Sequence, residues 1–200
     1  MEQNVQGAGN APTNLKNTNK WDTRQLVVMA LMAAIAILLS FVELPIWPAA
    51  PWLKYDASFV PVMVSAFAYG PGPGFAVGMV SVVLHGLMSG NFWGAVMNTL
   101  AVAAFVFPAA IMYARSRTMK SAIIGLVISS LCAIAASILA NLVVTPIYAG
   151  MPVDAVIAMI VPILLPFNCI KVVLNSVLTL AVYKAVSNLI TPKKDQVSGR

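Results

Sequence analysis

Charge is the scarcest property of this chain. Of its 200 residues only 9% are Asp, Glu, Lys or Arg, while 60% are hydrophobic. A soluble domain carries about a quarter charged residues. With so few, this chain has no means of covering a surface that faces water on all sides, and it reads as an integral membrane protein. Acids are rarer still, six against twelve Lys and Arg, and there is one histidine. Carboxylate or histidine relays inside the apolar segments are thereby excluded; His85 stands alone, as structural histidines do. Cys132 and Cys169 fall in apolar runs without metal-ligand spacing or a disulfide partner, and each is expected to be a small buried residue. No GxxxxGK[ST] phosphate loop occurs, which excludes ATP hydrolysis by that route. No Ser/His/Asp, Cys/His or metal-ligand constellation is present either, so nothing points to an enzyme.

What charge there is falls in blocks. Lys16, Lys20 and Arg24 precede the first apolar run, Arg115, Arg117 and Lys120 share one connector, and Lys184, Lys193, Lys194 and Arg200 close the chain. These clusters alternate with apolar spans. That excludes a nucleic-acid patch and matches the excess of Lys and Arg on cytoplasmic loops. Six membrane segments fit the pattern: 24–44, 58–69, 75–88, 92–113, 121–148 and 166–189. The second and third are shorter than the ~20 residues of a full span. "GPGPG" (70–74) is expected to be a turn, and 149–165 a loop with a short helix on the membrane surface.

The expected fold is therefore an all-α integral membrane protein with six transmembrane helices and both termini cytoplasmic. Residues 1–22 are expected to be a disordered cytoplasmic tail, 23–190 the membrane domain, and 191–200 a second cytoplasmic tail, with 197–200 read as a non-native remnant. The opposite side then carries Glu43, Lys54, Asp56 and Asp154, with Trp47, Trp52, Trp93 and Tyr148 as an interfacial aromatic belt. Small residues recur at four-residue spacing: Ala30 and Ala34, with Ala33 and Ala36 beside them, then Gly74 and Gly78, and Gly86 and Gly90. Such stripes let helices approach closely, within one chain or against a partner helix.

The polar residues inside the spans converge. Asn168, Lys171 and Asn175 are spaced i, i+3, i+7 and share one helix face. With a helix starting at Pro166 on the outer side, Lys171 lies about 8 Å inward, and Asn141 and Asn98 on two other helices lie about 10 Å deep. Thr145 stands one turn outward of Asn141. A lysine in the bilayer costs at least a few kcal/mol and ordinarily faces a partner, a cavity or a substrate. The competing reading has Lys171 snorkelling to the surface and the amides gluing helices together. Against it, no carboxylate within the spans is available to Lys171, and Asp56 reaches it only from a loop. A cation amid neutral amides suits a neutral or electron-rich polar ligand. The loop 47–61 is placed to close over such a site, with Trp47, Trp52 and Tyr55 able to stack on a planar ring; for the two tryptophans interfacial anchoring is the simpler role.

Several stretches together resemble the substrate-binding S component of energy-coupling-factor (ECF) vitamin transporters, and within that family its riboflavin-specific members. They are "LKYDASFVP" (53–61), "AFAYGPGPG" (66–74), "NTLAVAAFVFPAAIMY" (98–113), "TPIY" (145–148) and "LPFNCIKVVLNS" (165–176). The resemblance implies six helices and a flavin bound near the outer face as substrate, with no cofactor. It implies ring contacts from Asn168, Lys171 and Asn141. It also implies that the Ala30/Ala34 stripe docks on a membrane-embedded T component, which two cytoplasmic ATPases drive. The chain departs from the pattern at "LHGLMSG" around His85, where those members often carry a Lys-Asn pair. It also has a short loop before the fourth helix and lacks a second acid after Ser58. Riboflavin, its phosphate and other flavins stay open.

The expected binding set is thus Asn168, Lys171, Asn141, Asn98, Thr145, Tyr55, Asp56 and Asn175, in a multi-pass protein of a prokaryotic plasma membrane. Two other readings remain: the same architecture for a different vitamin or nucleobase-like solute, and a membrane assembly or sensor protein that transports nothing.

Overall fold

A computed structural model describes residues 21–48, 50 and 52–190. The expectations for the tails 1–20 and 191–200 lie outside the described residues. Seven α-helices follow one another: α1 Thr23–Ser40, α2 Phe59–Tyr69, α3 Pro71–Ser89, α4 Phe92–Ser116, α5 Met119–Ala149, α6 Val153–Met159 and α7 Leu165–Ile190. Five helical spans are long and apolar enough to cross a membrane, the last running from Val153 to Ala185, and α2 is a shorter apolar helix. The outward faces carry Leu31, Val127, Leu139 and Val173, the apolar surface that lipid requires.

The short second segment has a physical reason. Every residue of α2 from Phe59 to Ala68 is buried, because α2 touches α1, α3, α4 and α7. Protein, not lipid, satisfies its surroundings, so it need not match the bilayer thickness. Phe67 at its inner end meets the rings of Tyr113 and Tyr183, whose hydroxyls lie 3.2 Å apart.

The "GPGPG" stretch is less of a turn than expected. Only Gly70 reverses the chain, at φ 98°, a conformation that glycine adopts without strain. Pro71 then opens α3, because prolines fit a first helical turn whose N–H groups have no partner anyway. The third segment is consequently a full 19 residues. Gly74 lies against α2 so closely that a Cβ there would sit 2.3 Å from that of Ala66. Gly78 and Gly86 likewise face Val102 and Ala95, so the glycine stripe packs within the chain.

The loop expected at 149–165 is a correction. After a left-handed cap at Gly150, Pro152 starts α6, which continues through a π-helical turn, Ile160–Leu164, into α7. Pro162 falls inside that wider turn, and such a bulge relieves the clash that ends an ordinary helix.

Three smaller differences concern side chains. Cys132 is exposed on the outer face of α5 and Cys169 only partly covered, whereas both were expected inside. Ala30 and Ala34 are exposed on α1, but Ala33 faces the other way, into the core with Met29 and Ala36. Trp21 packs on that core and Asp22 caps α1 through a bond from the Thr23 N–H (2.8 Å), so these two residues belong to the folded body.

Candidate functional site

A cavity of about 640 Å³ opens at one end of the bundle, a size suited to a small organic ligand. Its lining comes from the last turns of α3 and α5, the first turns of α2 and α4, the segment before α2, and the stretch from α6 into α7. In a bundle of alternating direction these are all the same end. Asn98, Asn141, Thr145, Asn168, Lys171, Asn175 and Asp56 all line this one space. The structure thus brings together seven of the eight expected binding residues.

Tyr55 is the exception, for it does not line the cavity. Its backbone exchanges two 2.8 Å hydrogen bonds with Leu44, closing the 41–58 strap into a narrow loop. Its ring is turned into the protein at 6% exposure. Burial, and secondarily the neighbouring Asp56 carboxylate, push its phenol up from the usual value. Trp52 lines the mouth of the cavity instead and remains largely exposed.

Lys171 has a partner, and it is the loop acid Asp56, not a carboxylate within the spans. Asp56 Oδ2 lies 3.7 Å from Lys171 Nζ, and each side chain is 13% exposed. The Ser58 N–H (3.0 Å) and hydroxyl both donate to Asp56 Oδ1, which orients the carboxylate at the entrance of α2. The ammonium also sits 4.9 Å from the Phe59 ring centroid, within cation–π range. Lys171 is therefore aimed across the cavity and away from lipid.

The amides are held by their own helices. Asn168 donates to the Leu164 carbonyl (2.8 Å), Asn175 to that of Lys171 (3.0 Å) and Asn141 to that of Ser137 (2.8 Å). Thr145 donates to Asn141 Oδ1 at 3.1 Å. Each bond back to the preceding turn fixes a rotamer and uses one N–H, leaving each amide a second N–H and further acceptor capacity. Asn175 Oδ1 is buried with no hydrogen-bond partner among the described residues. An array of donors and acceptors around one cation, walled by Phe105, Phe167 and Leu164, suits a flat heterocycle with polar atoms along one edge.

Residues 24–183 match the family described as ECF transporter, substrate-specific component. The chain belongs to that family.

This substrate-specific component is 33% identical to the riboflavin transporter RibU of Staphylococcus aureus (strain TCH60) over 182 residues, covering 88% of this chain and 96% of the relative. It is 29% identical to the riboflavin transporter FmnP of Bacillus subtilis (strain 168), covering 74% and 84%. A solved structure described as the S component of a bacterial ECF transporter superposes with a TM-score of 0.74 at 31% identity, covering 84% of this chain and 98% of that one. ThiT from Listeria monocytogenes shares the fold, with a TM-score of 0.61 at 17% identity. The S component is thus a multi-pass membrane transport subunit and not an enzyme.

Sequence reasoning missed the rim of its cavity. Glu43 and Lys54 pair at 2.5 Å across the strap, and His85 Nε2 lies 3.9 Å from the other Glu43 oxygen. All three line the mouth, and His85 packs edge-on against Phe41. The signal available was the presence of opposite charges in one short outer loop.

Proposed function

We propose that this S component captures riboflavin from the outside of the cell and hands it to an energising module. The observation that carries the reading is Lys171, held between Asp56 and Phe59 and facing a cavity lined by amides from α4, α5 and α7. An isoalloxazine presents one donor and several acceptors along its pyrimidine edge. Asn168 and Asn141 supply both kinds of group, and Lys171 donates to a ring oxygen or nitrogen. Asn98, Thr145, Asp56 and Asn175 complete the polar wall. Two relatives that cover most of this chain are named riboflavin transporters, which supports the choice of ring.

The family membership supports partners as well. A T component in the membrane and two cytoplasmic ATPases supply the work that a chain without a phosphate loop lacks. The exposed Ala30 and Ala34 on α1 offer a flat, small-residue face for such a helix–helix contact.

Fluorescence titration tests the reading. Riboflavin emission is expected to be quenched on binding to the purified protein. Lys171→Ala should weaken binding by about ten- to a hundredfold, the loss of a charged hydrogen bond in a half-dry site. Equal titrations for the variant and the parent would remove Lys171 from the site, and stronger competition by another vitamin would reassign the ligand.

A further inference from the structure

The charges around the cavity balance, and they are sorted by depth. Lys171 and Asp56, each 13% exposed, form one pair toward the floor. Lys54 and Glu43, at 49% and 33%, form the other at the mouth. His85, beside Glu43, adds charge only when protonated. Two ammonium groups therefore face two carboxylates, and each cation already has its anion. On the flavin reading above, the ring edge sits on Asn168 and Lys171. The end of the ribityl tail, the one position that phosphorylation changes, then reaches the wetter mouth. A phosphate there adds about 1.5 to 2 negative charges beside Glu43.

We propose that Glu43 is a charge filter at the mouth, which makes the cavity selective for the unphosphorylated flavin over its 5′-phosphate. The filter depends on how much of the Glu43 charge Lys54 neutralises. At 2.5 Å the pair cancels most of its own field, yet it leaves no cation free to receive a dianion. The remaining repulsion acts through a partly wet entrance, so it is moderate and salt-sensitive.

The test is the ratio of dissociation constants, flavin 5′-phosphate over riboflavin, from fluorescence titrations of each variant. In the parent protein the ratio is expected to be at least about ten, and to shrink as salt is added. Glu43→Gln should lower the ratio several-fold, and Lys54→Gln should raise it by exposing the carboxylate. A variant that folds poorly loses riboflavin binding itself, so the ratio is read in variants that retain it, and the opposite movements of the two variants support the filter. A parent ratio near one, or Glu43→Gln with the ratio unchanged or higher, overturns the filter. Failure of the parent protein to bind riboflavin at all overturns the flavin reading itself, and the two failures are told apart in the same titration.

Discussion

Lys171 and Asp56 belong to opposite ends of the chain, and their meeting ties the strap to α7 through the cavity. Breaking one partner leaves the other charge poorly solvated, which costs more than the pair itself contributes. Asp56→Asn is therefore expected to lower the stability of the ligand-free protein by about 1–3 kcal/mol, read as an earlier melting transition in detergent. Riboflavin should recover part of the loss, because the ring gives Lys171 a new acceptor. The helix face shared by Asn168, Lys171 and Asn175 was legible in the sequence, since local spacing dictates it. The Asp56 contact was not, because it depends on how far the strap sinks between helices. Tyr55 shows the same limit: an aromatic in an outer loop reads as a stacking group, but pairing with Leu44 turned it inward. Its hydroxyl is buried without a partner among the described residues. Tyr55→Phe should accordingly raise stability by up to about 1 kcal/mol. The sign of the pH effect follows from the raised phenol. Its contribution is fully present below the unfolded value of about 10 and is lost as pH rises through the folded value. Melting curves taken from neutral to strongly alkaline pH should fall late in the parent protein and less in the variant.

At the level of whole elements, prolines misled where they usually inform. Pro71 and Pro73 sit in the first turn of α3 and Pro162 inside a π-helical turn, so neither place is the break that a Gly/Pro-rich string suggests. The six-segment pattern was legible because long apolar runs need no context, whereas the reach of α3 and the continuity of α6 with α7 depend on packing that relieves strain. Pro108 is a third case. It lies within α4, where proline perturbs the backbone ladder. The N–H of the next residue, Ala109, donates to the Ser129 hydroxyl of α5 at 2.7 Å. One turn earlier on α5, Gly125 brings the two helices so close that a Cβ would meet the Ala109 backbone at 3.0 Å. Close approach and cross-helix bond support each other. Ser129→Ala should remove that cross-helix bond at a cost of about 0.5–1.5 kcal/mol, measured as a shift in the thermal unfolding midpoint, with riboflavin titration as a check on the cavity.

For the molecule as a whole, orientation links the charge pattern to the cavity. Among the described residues, Arg24, Arg115, Arg117, Lys120 and Lys184 lie at or beside the ends of α1, α4, α5 and α7 that point away from the cavity. Glu43, Lys54, Asp56 and Asp154 lie at the cavity end. Clusters of Lys and Arg favour the cytoplasmic side, and that rule predicts a cavity that faces outward, as capture from the medium would require. The inverse arrangement would drag the Arg115–Lys120 connector across the bilayer, against a large cost per charge. Two exposed positions report the difference. In a background carrying Cys132→Ser and Cys169→Ser, Asp154→Cys on the cavity side should react with a membrane-impermeant maleimide on intact cells. Ser116→Cys, at the far end of α4, should react only after the membrane is opened. Reversal of that pattern would place the cavity in the cytoplasm, and a site facing there cannot be loaded from outside.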